Sequence, residues 1–279
     1  MRTLILCLFL AAAALPQPIA EVPAEPPVWS PMIYQGISLT GAFRRKPEAF
    51  ALYAVEVDLR ASGLSFLVTP SNGDRRLDTD SRKTGSFLHE FKCQVAINGS
   101  PFRPVDRHEG VPMDVAGLSV SNGDRYSEPE GSWGALLLTK DNQASLVSQQ
   151  AEVPPAHNAL GGFDPLLKAG QPVDQPGGPR HPRTAVGLSQ DGQILYLAVI
   201  DGRQPGYSVG TTLYETALWM RWLGCWEALN LDGGGSTTLV IEDELGLPYT
   251  VNRPIQEKVP GQQRPSANHL GVFGAPVKR

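Results

Sequence analysis

The stretch Ala228-Leu229-Asn230-Leu231-Asp232-Gly233-Gly234-Gly235-Ser236-Thr237-Thr238-Leu239-Val240 reads as a strand, a glycine loop and a second strand. An apolar run ends in a carboxylate, three glycines and three hydroxyl residues follow, and a new apolar run begins. Consecutive glycines lose backbone entropy and contribute no packing, so they persist where the chain must reverse tightly or approach a ligand closely. Just upstream, Thr212-Leu213-Tyr214-Glu215 matches a helical capping box. Leu213, Ala217, Met220 and Trp222 or Leu223 give that helix an apolar face, and Gly224 closes it. With the apolar run Leu195 to Ile200 before the helix, the segment predicts a β–α–β passage ending at Asp232.

Working outward, Leu52 to Leu59, Leu64 to Val68, Val95 to Asn98, Gly117 to Ser121 and Trp133 to Thr139 read as strands. Thr184 to Leu188 and Ile194 to Ile200 form a hairpin about Gln190-Asp191-Gly192. The pentapeptide Ser-Asn-Gly-Asp-Arg at 71–75 and again at 121–125 reads as two Asn-Gly hairpin turns. A Pro/Gly-rich stretch from Val153 to Pro182 carries little regular structure beyond a short strand or turn near Leu166-Leu167. The expected class is α+β, a strand-rich domain of mixed or antiparallel sheet with a few helices. Residues 1–20 form a signal peptide, 21–50 a leader and first elements, and 51–275 a single domain.

Arg2, the apolar core from Leu4 to Leu15 and the small residues ending at Ala20 make the signal reading. That core is too short to span a bilayer, and no later stretch predicts a membrane span. The expected location is periplasmic or secreted. With a formal net charge of −4 and no basic stripe, nucleic acid is not an expected partner. Cys93 and Cys225 each sit five residues before an asparagine that ends a strand, Asn98 and Asn230. If those strands are neighbours in equal register, the thiols meet, and an exported protein would oxidise them to a disulfide.

Several familiar chemistries do not fit the glycine loop. No Gly-Lys-Ser/Thr follows it, the alternating oxygen ligands of a calcium loop are missing, and there is no Gly-x-Ser-x-Gly elbow. Asp232 remains, either as a turn-capping residue or as a strand-end catalytic carboxylate. Asp201 ends the run Leu195 to Ile200 in the same way, before Gly202. Two such carboxylates suit the acid, base or nucleophile roles of glycosyl transfer. Glu215 is a third carboxylate, explained equally well by its capping box. Arg183 opens a strand with a guanidinium suited to bidentate phosphate recognition. The five histidines and the cysteines show no ligand spacing, so no metal site and no cofactor is assigned, although a cation on Asp and Asn oxygens stays open.

Five segments occur in order: Ala96-Ile97-Asn98-Gly99-Ser100-Pro101-Phe102, Arg183-Thr184-Ala185-Val186-Gly187, Ala198-Val199-Ile200-Asp201-Gly202-Arg203, Gly210-Thr211-Thr212-Leu213-Tyr214-Glu215, and Leu229 to Thr237. Together they resemble the phosphodiester glycosidase family, over roughly Tyr53 to Phe273. The resemblance implies a hydrolase that cleaves the bond between an anomeric carbon and a phosphate oxygen. It implies Asp232 as base or nucleophile and Arg183 as a phosphate clamp. Asp201, Asn98 and Asn230 would orient sugar hydroxyls or water, and the amides of Gly233, Gly234 and Gly235, with Ser236 and Thr237 beside them, would contact substrate. One segment departs from the family pattern: Asn98-Gly99-Ser100-Pro101-Phe102 precedes an insertion-like stretch with Asp106, Arg107, His108 and Asp114, the last a rival to Asp201.

The expected partner is a carbohydrate or glycosyl phosphate, in envelope or exopolysaccharide metabolism; no oligomeric state is assigned. The alternatives are a non-catalytic carbohydrate-binding or exopolysaccharide-assembly protein and a serine hydrolase acting through Ser236.

Overall fold

In the computed structural model, residues 22–150 and 152–277 are described. The signal segment expected at 1–20 lies outside the described residues. An eight-stranded sheet forms one side of the domain, with neighbouring strands in the order Met32–Tyr34, Ile37–Arg44, Phe50–Asp58, Ile194–Ile200, Arg183–Leu188, Glu227–Asn230, Pro165–Lys168 and Gln171–Pro172. A five-stranded sheet forms the other, in the order Pro248–Thr250, Leu239–Glu242, Val95–Asn98, His269–Phe273 and Ser65–Val68. All pairings in both sheets are antiparallel. A second five-stranded sheet, built from strands between Ser119 and Gly161, and a small three-stranded sheet complete the strands.

Alternation along the strands explains the layers. On Ile194–Ile200, Leu195, Leu197 and Val199 join Val55, Val57, Val186 and Leu229 in a core shared with Val95, Ile97, Leu239, Leu270 and Val272 of the smaller sheet. The opposite face of the same strand, Tyr196, Ala198 and Ile200, packs under helix α2, Leu213–Leu223, through Ala217, Trp219, Met220 and Leu223. Phe50 stacks on Trp219 at a centroid distance of 4.5 Å. On the outer face of the smaller sheet, helix α1, Thr84–Phe91, contributes Phe87 and Leu88 to a cluster with Leu67, Ala96 and Val240. The result is helix, sheet, sheet, helix. Both large sheets are therefore covered on both faces, which is why their strands read as near-continuous apolar runs.

Helix α2 starts with the capping box: Thr212 Oγ1 accepts the Glu215 N–H, and the Glu215 carboxylate accepts the Thr212 N–H. It ends at Gly224, whose φ of 116° is open to glycine. In the chain it lies between Ile194–Ile200 and Glu227–Asn230, which both pair with the strand Arg183–Leu188 between them. Helix α1 was not expected. Its N-cap, Lys83, makes no side-chain capping bond, so no local signal announces it. The 153–182 stretch holds more structure than expected, including strands Asn158–Gly161 and Pro165–Lys168. Of the two repeated pentapeptides, 121–125 forms a hairpin turn, with Asn122 and Gly123 at positive φ, whereas 71–75 lies in a loop.

The expected disulfide does not form. Cys93 and Cys225 are both buried free thiols. Cys93 precedes a strand of the five-stranded sheet and packs near Gly271, while Cys225 precedes a strand of the eight-stranded sheet and packs near Gly187. Their strands belong to different sheets, so equal spacing to an asparagine does not bring the sulfurs together.

Candidate active site

The strand ends of the two sheets meet at the glycine loop. Asp232 lies two residues past the end of Glu227–Asn230, and its N–H donates to the Gly99 carbonyl just beyond Val95–Asn98, 3.0 Å away. Asn98 fixes this junction from inside. Its Nδ2 donates to the Asp232 carbonyl at 2.6 Å, and its Oδ1 accepts from Thr184 Oγ1 at 2.9 Å and from the Thr238 N–H at 3.0 Å. Asn98 is fully buried and does not line the cleft described below; its side-chain bonds hold the glycine-loop junction.

Each glycine of the loop has a separate reason. A Cβ on Gly233 would fall 2.7 Å from the Pro182 carbonyl oxygen, and Gly234 has a φ of 63°. A Cβ on Gly235 would fall 2.3 Å from Gln256 Oε1. The Gly234 amide donates to the Pro182 carbonyl at 3.0 Å, so this amide is used by the fold itself. Ser236 and Thr237 are buried behind the loop. Ser236 Oγ is held by Arg264 Nη2 at 2.6 Å and Ser266 Oγ at 3.1 Å, and among the described residues no histidine is hydrogen-bonded to it.

In front of the loop lies a cleft of about 270 Å³, lined by His181, Arg183, Arg203, Asn230, Asp232 and Arg264 together with the first two loop glycines. Asp232 is the single carboxylate in that lining. Arg264 Nη2 donates to Asp232 Oδ2 at 2.8 Å and, at 5.4 Å, its guanidinium lies over the Phe102 ring. Burial pushes the Asp232 carboxyl above its ordinary range, opposed by Arg264, the Ser236 hydroxyl and the Gly233 amide. Arg183 Nε donates to the Thr211 carbonyl at 3.0 Å and Nη2 to the Pro179 carbonyl at 3.2 Å, which aims the side chain. Arg203 Nη2 lies 3.2 Å from His181 Nδ1. Burial, then Arg203 and Arg183, hold His181 below its usual pKa, so the ring is neutral near pH 7. Asn230 Oδ1 is buried without a hydrogen-bond partner and belongs to a residue lining the cleft. Such an atom costs free energy unless a ligand or water completes it.

Three expected residues sit elsewhere. Asp201 is 1% exposed and accepts from Tyr207 Oη at 3.0 Å, Asn252 Nδ2 at 2.8 Å and the Arg253 N–H at 2.9 Å. Burial pushes its carboxyl up to about 6. Asn252 in turn binds the Thr237 carbonyl and the Leu239 N–H, so Asp201 braces the strand that leaves the glycine loop. Glu215 is tied into the capping box and takes a bidentate pair from Arg180, at 3.0 and 2.7 Å. Neither Asp201 nor Glu215 lines the cleft. Asp114 lies at the surface, paired with Arg103. Arg203, His181 and Arg264 are the cleft residues that the sequence reading did not single out. Among the described residues, no group of three or more His, Cys, Asp or Glu side chains is arranged to hold a metal ion.

The profile of the phosphodiester glycosidase family matches residues 91–273, more than half of the chain and including Asn98, Arg183 and Asp232. The chain belongs to the phosphodiester glycosidase family. No match is found among curated proteins. Among solved structures, this phosphodiester glycosidase domain resembles a hypothetical protein from Synechocystis, with a TM-score of 0.64 and 16% identity over 86% of this chain. It spans only 62% of that protein's length. The catalytic domain of zebrafish N-acetylglucosamine-1-phosphodiester alpha-N-acetylglucosaminidase, auto-inhibited by its pro-peptide, aligns with a TM-score of 0.61 and 22% identity, covering 88% of this chain and 84% of the zebrafish domain. A Burkholderia pseudomallei protein provisionally described as exported aligns with a TM-score of 0.60 and 16% identity, covering 83% of this chain and 76% of that one. At these identities the structural matches establish a shared fold.

Proposed function

We propose that this family member is an exported hydrolase that cleaves the bond between an anomeric carbon and a phosphate oxygen in a glycosyl phosphodiester of the envelope or an exopolysaccharide. One observation carries the reading: a single carboxylate, Asp232, shares its cleft with the guanidinium groups of Arg183, Arg203 and Arg264. Cations so placed favour a phosphate, and the carboxylate favours the positive charge that develops at an anomeric carbon.

In this mechanism Arg183 and Arg203 hold the phosphodiester oxygens. The glycosidic C–O bond breaks with its electron pair going to the phosphate oxygen, which leaves as a stable phosphomonoester anion and needs little protonation. Asp232 either takes a proton from the water that adds to the anomeric carbon, or itself adds there to form a glycosyl ester that water then hydrolyses, restoring the carboxylate; on either route the products are the free sugar and the phosphomonoester. Arg264 and the Gly233 amide favour the charged carboxylate against the opposing effect of burial, and Arg264 fixes its orientation. The unpartnered Oδ1 of Asn230 accepts from a sugar hydroxyl or from the water.

The test is hydrolysis of a panel of hexose-1-phosphodiesters by the wild type and Asp232→Asn. Turnover that Asp232→Asn lowers by about 10³-fold or more supports the mechanism. Turnover unchanged by that substitution removes Asp232 from the chemistry. The Arg264–Asp232 ion pair favours the second reading, a glycan-binding protein without turnover, because it occupies the carboxylate. Glycan binding with no hydrolysis of any diester would establish that alternative.

A further inference from the structure

A second cleft, of about 310 Å³, lies between the 174–179 loop and the start of α2, and it shares His181 and Arg183 with the Asp232 cleft. Its volume falls among those of pockets that hold small organic ligands. Arg183 is fixed between the two by its bonds to the carbonyls of Thr211 and Pro179, and Pro179 also lines the second cleft. The outer wall is held in place rather than left to fold around a ligand. Arg180, next to Pro179, makes its bidentate pair with Glu215 of α2, and its Nη1 approaches Glu48 at 3.5 Å. This gives Glu215 a purpose beyond capping: it anchors the loop that walls the second cleft.

We propose that this second cleft is the leaving-group subsite of the reaction proposed above, and that it takes a neutral, hydroxyl-bearing group of sugar or polyol size. The proposal rests on that reaction. A phosphodiester has two organic arms joined at one anion, and here two clefts join at one guanidinium. The lining sets the chemistry of the arm. Asp174 and Gln175 offer hydroxyl acceptors, Tyr214 offers a phenol, and Leu213 and Pro179 offer apolar contact for ring or chain carbons. Asp174 lines the same cleft as Arg183, so its charge opposes a second anionic group on the leaving arm.

The experiment compares kcat/KM for methyl, glyceryl and phosphoglyceryl diesters of one hexose-1-phosphate, using the wild type, Tyr214→Ala, Tyr214→Phe and Asp174→Asn. The expected results are a roughly tenfold fall in the glyceryl-to-methyl ratio for Tyr214→Ala, and a smaller fall for Tyr214→Phe. Asp174→Asn should raise the phosphoglyceryl-to-glyceryl ratio roughly tenfold. Asp174 lies in the loop outside the helix, and Asp174→Asn keeps the side chain's size, so this variant gives a readout independent of the helix variants. Turnover with all ratios unchanged overturns the subsite alone. No turnover of any diester by the wild type overturns the hydrolase reading and the subsite with it.

Discussion

Arg264 and Asp232, 32 positions apart in the chain, meet at 2.8 Å in the cleft, and the same Arg264 nitrogen also holds Ser236 Oγ at 2.6 Å. The guanidinium lowers the carboxyl pKa against a larger upward push from burial. Removing it in Arg264→Ala leaves burial opposed only by the Ser236 hydroxyl and the Gly233 amide. The charged carboxylate then needs a higher pH, and the acid limb of the kcat/KM profile should move to higher pH. A profile that keeps its acid limb in Arg264→Ala would separate Asp232 from the titration.

Asp201 should make stability depend on pH in the opposite sense to a salt-bridged carboxylate. Its folded pKa of about 6 lies above the ordinary value of 3.8, so its protonated form is favoured by folding. That contribution is complete below about pH 3.8 and is lost as pH rises through about 6. The stability of the wild type relative to Asp201→Asn should therefore fall by roughly 2 kcal/mol between pH 4 and pH 7. Urea unfolding of both proteins across that range checks this, and a flat difference would contradict it.

Gly233→Ala should destabilise the domain and distort the site together. Its Cβ would meet the Pro182 carbonyl oxygen at 2.7 Å, a backbone atom that cannot swing aside. The expected loss is about 1–3 kcal/mol, with a fall in turnover larger than the unfolded fraction explains. Gly235→Ala is the control, because its clash is with the tip of the flexible Gln256 side chain. Thermal melts beside activity assays distinguish the two.

Cys93 and Cys225 should be recovered as free thiols by peptide mapping of protein alkylated after unfolding, even when it is purified without reductant. Burial holds the Cys93 thiol up to about 12 and that of Cys225 well above its usual value, so both should resist thiol reagents in the folded state. Recovery of a peptide pair joined through these two residues would overturn the assignment.

The sequence exposes what local chemistry imposes. Asp232 and its glycines are legible because a strand end, a reversal and a close approach each demand a residue type at one point. Helix α2 is legible through Thr212, Glu215 and Gly224. Arg264 and Arg203 are not, because each is a lone basic residue in a loop, and only the fold brings them to Asp232. Asp201 and Glu215 show the converse. A carboxylate at a strand end or helix start carries the same local signature whether it faces a cleft or is consumed by neighbours, here Asn252 and Tyr207 for one, Thr212 and Arg180 for the other. The cysteines mislead for a related reason: spacing within a strand says nothing about which sheet the strand joins.

The buried carboxamide of Asn98 bonds at once to Thr184 of the larger sheet, to the Thr238 amide beside the smaller one, and to the carbonyl of Asp232. The candidate catalytic carboxylate is thus mounted on the seam rather than on either half. Any slip of one half against the other moves it, even with every strand intact. Turnover then becomes a gauge of assembly: on gentle heating it should vanish while circular dichroism still records a full complement of strands, and on refolding it should return last.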